Sequence, residues 1–188
     1  MSKKPYVIGI CGGTCSGKST LSGELEKTLG DKYTLSVFHM DKYYRRPQIR
    51  TIAPITRVEY VEANHPDSLE TDSLYKDFFE AVSNPDNDIV IIEGLFSFYL
   101  DQIREKLDLK VYVDLKSDER MYRRIRRWME RQTMEDIVNR YLDTVRYRHD
   151  EFVEPMRWHA DIVLNGTLDT NQGTGILISF IETQVSLR

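Results

Sequence analysis

One stretch, Gly12-Gly13-Thr14-Cys15-Ser16-Gly17-Lys18-Ser19-Thr20, limits what this chain can fold into more than any other. Glycine, four residues, then Gly-Lys-Ser is the spacing of a phosphate-binding loop. The glycines let the backbone fold back so that several N–H groups point at one phosphate. Lys18 can reach the outer phosphates, and the Ser19 hydroxyl can ligate Mg²⁺. A helix placed directly after the loop presents its positive N-terminal end to the same anion. The flanks fit this reading. Tyr6-Val7-Ile8-Gly9-Ile10-Cys11 is a compact run rich in β-branched residues, as a buried strand requires. Leu21, Leu25 and Leu29 then recur at helical spacing up to Gly30, a stop signal. An ordinary glycine-rich turn has no need of strand, loop and helix in that order.

Strand-like and helix-like runs alternate along the rest of the chain, which predicts an α/β fold on a five-stranded, mainly parallel sheet. The further strands are expected at 33–40, 88–92, 110–115 and 160–164, and helices at 68–82, 96–107, 134–155 and from about 174 to the end. The polar, Pro-containing stretch from Lys42 to Pro66 reads as a loop or irregular lobe over the site. At 188 residues, one domain spanning 1–188 is expected, with a core that needs no disulfide or metal.

Charge and cysteines narrow the function classes. The formal net charge is −4, so no global basic field attracts nucleic acid. The two cysteines, Cys11 and Cys15, have no zinc spacing and are too close across a tight loop for a structural disulfide, which suits a reduced cytosolic protein. The N-terminus does not read as a signal peptide. The longest apolar run, near 89–100, is broken by Glu93 and too short to span a bilayer, so no membrane partner is expected.

Three further features carry chemistry. Glu93 ends the most apolar strand, where phosphate-loop proteins place a carboxylate near Mg²⁺; the alternative is an acid that merely caps a strand. Asp41 ends the second strand, at the sheet edge where ligands bind, and is the candidate general base; the alternative is a turn or capping Asp. Arg120, Arg124, Arg127 and Arg131 fall on one helical stripe within a lid at about 118–135, beside an apolar stripe of Met121, Ile125 and Trp128 expected to dock on the body. Guanidinium forks suit phosphate oxygens, while a solvated, ion-paired face is the ordinary fate of such a charge run. Tyr43 and Tyr44 either line an acceptor pocket or cover the core. His149 reads as structural.

This ordered set resembles the uridine kinase and phosphoribulokinase group of phosphate-loop kinases, and uridine kinases most. The matching pieces are Gly12–Thr20, Asp41-Lys42-Tyr43-Tyr44, His65-Pro66-Asp67, Ile91-Ile92-Glu93-Gly94 with Phe98-Tyr99, Val113-Asp114, Arg123–Arg131, and Tyr141…Phe152…Pro155…Ala160-Asp161-Ile162-Val163. The resemblance implies a phosphate-loop sandwich with helices on both faces and an Arg-rich helical lid. It also implies ATP (or GTP) with Mg²⁺, and phosphoryl transfer to a small-molecule hydroxyl, for uridine kinases that of a nucleoside. Carried across by position, Asp41 would be the base and Tyr44 a pocket residue. Arg124 would contact the acceptor, Arg127 and Arg131 the nucleotide phosphates, and Ser19 and Glu93 the metal.

The chain departs from that group at three places. Asn64 stands where an acid holds the ribose hydroxyls. A short turn, Ser83 to Asn87, replaces an inserted hairpin that reads the pyrimidine. Arg140 takes the place of a usual Gln. The acceptor therefore stays open among nucleosides, nicotinamide riboside, pantothenate and sugar phosphates, as does oligomeric state. The rival reading is a nucleotide-binding regulator; of GTPase switches, neither Asn-Lys-x-Asp nor Asp-x-x-Gly occurs.

Overall fold

A computed structural model of the chain describes residues 4–167 and 171–188. Five strands, β1 (Tyr6–Gly12), β2 (Leu35–His39), β5 (Ile89–Glu93), β6 (Leu109–Asp114) and β7 (Ile162–Asn165), form a sheet in the order β2-β5-β1-β6-β7. Every pairing in it is parallel, so the sheet is wholly rather than mainly parallel. The most apolar runs take the middle. All residues of β1 and β5 are buried, whereas the edge strand β7 alternates half-buried and exposed positions.

Successive side chains on a strand point to opposite faces, and the core divides accordingly. On one face Ile8, Ile10, Ile89 and Ile91 pack with Leu21, Leu25 and Leu29 of α1 (Lys18–Leu29) and with Leu177, Ile181 and Val185 of the closing helix, Asn171–Ser186. On the other, Val7, Val90, Ile92 and Tyr112 pack with Leu74 and Phe78 of α2 (Thr71–Ser83) and with Phe96, Phe98, Phe152 and Val153. Each fully buried aliphatic or aromatic side chain contributes roughly 1.5–3 kcal/mol. Because all five strands run the same way, Gly12, His39, Glu93 and Asp114 end at one edge of the sheet, where the site is built.

Several expectations change. The helix expected over 96–107 is one turn only, α3 (Asp101–Arg104). The residues before it fold back onto the sheet: Gly94 N donates to the Ile10 carbonyl at 3.1 Å, and Ser97 Oγ to the same carbonyl at 2.9 Å. Those polar groups serve β1 instead of a helical ladder. The stretch read as loop holds a short antiparallel hairpin, β3 (Arg50–Ile52) with β4 (Glu59–Val61). The lid helix α4 (Ser117–Trp128) stops short of Arg131, and the chain turns before Thr133 caps α5 (Met134–Arg140) by accepting from Asp136 N. Beyond α5 the helical run to Val153 contains two π-helical segments, Tyr141–Val145 and His149–Val153, around the turn α6 (Arg146–Arg148); the closing helix is α7.

The apolar stripe of α4 does not dock as expected. Arg120 and Arg124 are buried, while Met121, Ile125 and Trp128 are only half-buried. The helix leans Arg120 and Arg124, not its apolar residues, on the body, while Arg126 and Arg127 stay exposed.

Candidate active site

The loop after β1 is shaped by close approach and unusual backbone. A Cβ on Gly13 would lie 2.7 Å from Arg120 Cδ, so only glycine leaves room for that side chain against the loop. Gly17, at φ 110, turns the chain into α1, and Cys15 holds a left-handed φ of 59 although it is not glycine. Such conformations cluster where backbone N–H groups must converge on an anion. Lys18 is buried and donates from Nζ to the Gly13 carbonyl at 2.9 Å. The Ser16 hydroxyl is buried with no partner.

Glu93 meets the loop directly. Ser19 Oγ donates to Glu93 Oε1 at 3.0 Å, and His39 Nδ1 lies 2.8 Å from that same oxygen. No group of three or more His, Cys, Asp or Glu forms a metal cage among the described residues. A hydroxyl beside a single carboxylate does fit Mg²⁺, which keeps several waters and takes its remaining ligands from phosphates.

Asp41 sits in a 3-10 turn, Met40–Tyr43, that continues directly from β2. Tyr44 follows and donates its hydroxyl to the Ala63 carbonyl at 2.8 Å. Burial, then the nearby Asp41 carboxylate, raises the Tyr44 phenol, so it stays protonated. Opposite, Arg124 Nη1 reaches Thr14 Oγ1 at 3.3 Å, and its guanidinium lies 4.3 Å from the Trp128 ring centroid. Burial, with Arg140 next, lowers Arg124 to about 10, so it remains a cation at neutral pH.

These groups enclose one cavity of about 400 Å³. Thr14, Cys15, Ser16, Gly17, Lys18, Ser19, Thr20, Asp41, Tyr44, Asn64, Glu93, Arg124 and Arg127 all line it. Of the other residues singled out in the sequence, Gly12 and Gly13 are buried, while Arg131 lies exposed in the turn after α4, away from the cavity. Arg123, Trp128 and Gln132 also line it without having been singled out as site residues, and so does Arg140. A second cavity of about 330 Å³ lies on the other side of Gly17, between Thr20, Glu24 and the Asn165-Gly166-Thr167 turn. Arg123 closes one wall of it by donating to the Gly166 carbonyl at 2.7 Å. No motif pointed to that turn, which takes its place only because β7 pairs with β6.

The hairpin is stapled to the long helix. Thr56 Oγ1 and Tyr60 OH both donate to Asp143 Oδ2, and Arg140 Nη2 donates to the Val61 carbonyl at 2.6 Å. Arg148 Nε pairs at 3.1 Å with Glu62, which is 2% exposed. His149, on the same run, is buried near Arg120 and Lys18. Burial, then Arg120, pushes its imidazole down to about 4, although Glu154 Oε2 lies 3.2 Å from Nε2. A histidine depressed on folding leaves stability intact above its unfolded value near 6.5 and loses it as pH falls, because the unfolded chain takes up a proton that the folded one refuses. The stability of the wild type should therefore drop by about 3 kcal/mol between roughly pH 6.5 and 4 through this group. His149→Gln should flatten that part of the profile in melting experiments, and parallel profiles would contradict the assignment.

The chain is similar to known proteins. A family model described as Phosphoribulokinase / Uridine kinase family matches residues 79–171. A uridine kinase from Clostridium tetani is 32% identical, covering 87% of this chain and 88% of the relative. Uridine-cytidine kinase B of Dictyostelium discoideum is 26% identical, covering 98% and 84%. A solved structure described as a possible uridine kinase from Bacillus stearothermophilus, 22% identical, superposes with a TM-score of 0.52 over 88% of this chain and 91% of its own, and shares the fold.

Proposed function

This chain belongs to the phosphoribulokinase / uridine kinase family, and we propose that it transfers the γ-phosphoryl group of ATP to a hydroxyl of a small molecule of the nucleoside class, with Asp41 as the base. At the coarser level it is an ATP-dependent small-molecule kinase, a phosphotransferase that acts on a hydroxyl group. One observation carries the finer reading: the phosphate loop and Asp41, Tyr44 and Asn64 line the same cavity, so donor and acceptor groups can meet there.

In this reading the loop N–H groups and Lys18 bind the phosphates, and Lys18 exchanges the Gly13 carbonyl for a phosphate oxygen. Ser19 and Glu93 would hold Mg²⁺, which would offset the negative charge of the phosphates. Asp41 accepts the hydroxyl proton as the hydroxyl attacks in line. Arg124 contacts the acceptor, Arg127 stabilises charge on the transferring group, and α4 closes to exclude water. The second cavity takes the donor's base.

The test is ATP consumption in a coupled assay across uridine, cytidine, nicotinamide riboside, pantothenate and sugar phosphates. Acceptor-dependent ADP release is expected. Tight MgATP binding with no turnover on any acceptor would favour a nucleotide-binding regulator instead.

A further inference from the structure

The acceptor end of the cavity holds more positive charge than a neutral acceptor needs. Arg124 is 7% exposed, its Nε has no hydrogen-bond partner, and its Nη1 bond to Thr14 is long. Arg140 is held by the Val61 carbonyl, and its buried Nε is likewise without a partner. Neither guanidinium forms a salt bridge among the described residues. The carboxylates that could neutralise them are otherwise engaged. Glu62 pairs with Arg148 and accepts from Asn64 N at 2.7 Å, and Glu93 accepts from Ser19 beside His39. Asp41 is left, and in the kinase reading it serves the hydroxyl.

Position separates Arg140 from the donor's cations, and Arg124 stands between the two ends, its Nη1 on Thr14 of the phosphate loop. Lys18 belongs to the loop and Arg123 is tied to Gly166 on the second cavity. Arg140 is fixed on the hairpin, next to Ala63 and Asn64, with Tyr44, Tyr60 and Glu62 as its electrostatic neighbours. When the lid closes over a neutral acceptor, open N–H groups on two like charges become still less hydrated, which is unfavourable for an unpaired charge. A carboxylate or phosphate would satisfy them with charge-assisted, forked hydrogen bonds.

We infer that the acceptor carries an anionic group, a carboxylate or a phosphate, besides the hydroxyl it presents to Asp41, and that Arg140 together with Arg124 binds that anion. The inference rests on the kinase reading above and names the substrate class of the same site.

Matched pairs test it, each assayed for kcat and KM with saturating MgATP: orotidine against uridine, nicotinic acid riboside against nicotinamide riboside, and ribulose 5-phosphate against ribulose. The carboxylate and phosphate arms distinguish the two sources of the anion. At least one anionic member should exceed its neutral partner by about tenfold or more in kcat/KM. Arg140→Gln should erase that preference through KM, and Arg140→Lys should restore part of it; melting curves check that both variants are folded. Neutral members turned over as well as every anionic one would overturn the inference and leave the kinase intact. So would an Arg140→Gln that lowers kcat equally for both members of a pair, since Arg140 would then serve the transferring phosphate. Tight MgATP binding without ADP release on any member would overturn the kinase reading, and this inference with it.

Discussion

Asp41→Asn is expected to lower kcat by roughly 10²- to 10⁴-fold while MgATP binding stays near the wild-type value. Asn keeps the size of the side chain and can still hydrogen-bond, but it cannot accept the hydroxyl proton. The position allows so selective an effect. Asp41 is exposed in the turn that continues β2, lines the cavity beside Tyr44, and contributes nothing to either apolar core. The variant should therefore fold normally. Steady-state kinetics on an acceptor identified by the panel, with nucleotide binding measured separately, check this. Undiminished kcat would remove Asp41 from the base role.

Lys18→Ala should reduce kcat by about 10²- to 10³-fold, the usual loss when one preorganised donor to developing charge is removed, and it should also weaken nucleotide binding. Here the accompanying stability change is informative. Lys18 is 8% exposed, has no carboxylate partner among the described residues, and rests on the Gly13 carbonyl. A buried, unpaired ammonium is unfavourable without phosphate, so Lys18→Ala should melt no lower than the wild type in the absence of nucleotide. It should also gain less on addition of MgATP, because ligand binding stabilises a fold in proportion to affinity. A strong drop in the melting temperature of the ligand-free variant would mean that Lys18 is structural.

Much of the fold was legible because its signals are local. The apolar runs of β1 and β5 need burial on both faces, and the sheet puts them beside each other in the middle. The loop, its strand and its helix follow one another in sequence. Asp41 and Glu93 could be singled out because each directly follows or ends a strand of a parallel sheet, which by geometry delivers them to one edge. The reading failed where tertiary partners overrule periodicity. The run from Phe96 has helical spacing, yet Ser97 and Gly94 donate to Ile10, far away in sequence. The apolar stripe of α4 looked like the docking face, but the space beside Gly13 is the shape of Arg120. His39, placed against Glu93, and Glu62, buried against Arg148, carried no motif; each gains its place from a neighbour that only the fold supplies. Arg140 was visible as an unusual residue, while its open guanidinium beside Asn64 was not.

The central claim is that donor and acceptor react in one cavity, between the phosphate loop and Asp41. Incubating the protein with Mg²⁺ and γ-labelled ATP, with and without each acceptor, and following where the label goes tests it most directly. The label should leave ATP rapidly only when an acceptor is present and should be recovered on that acceptor as a phosphomonoester, with the transfer lost in Asp41→Asn. Label that stays in ATP on every acceptor despite tight binding, or that appears as inorganic phosphate at the same rate with or without acceptor, would contradict it.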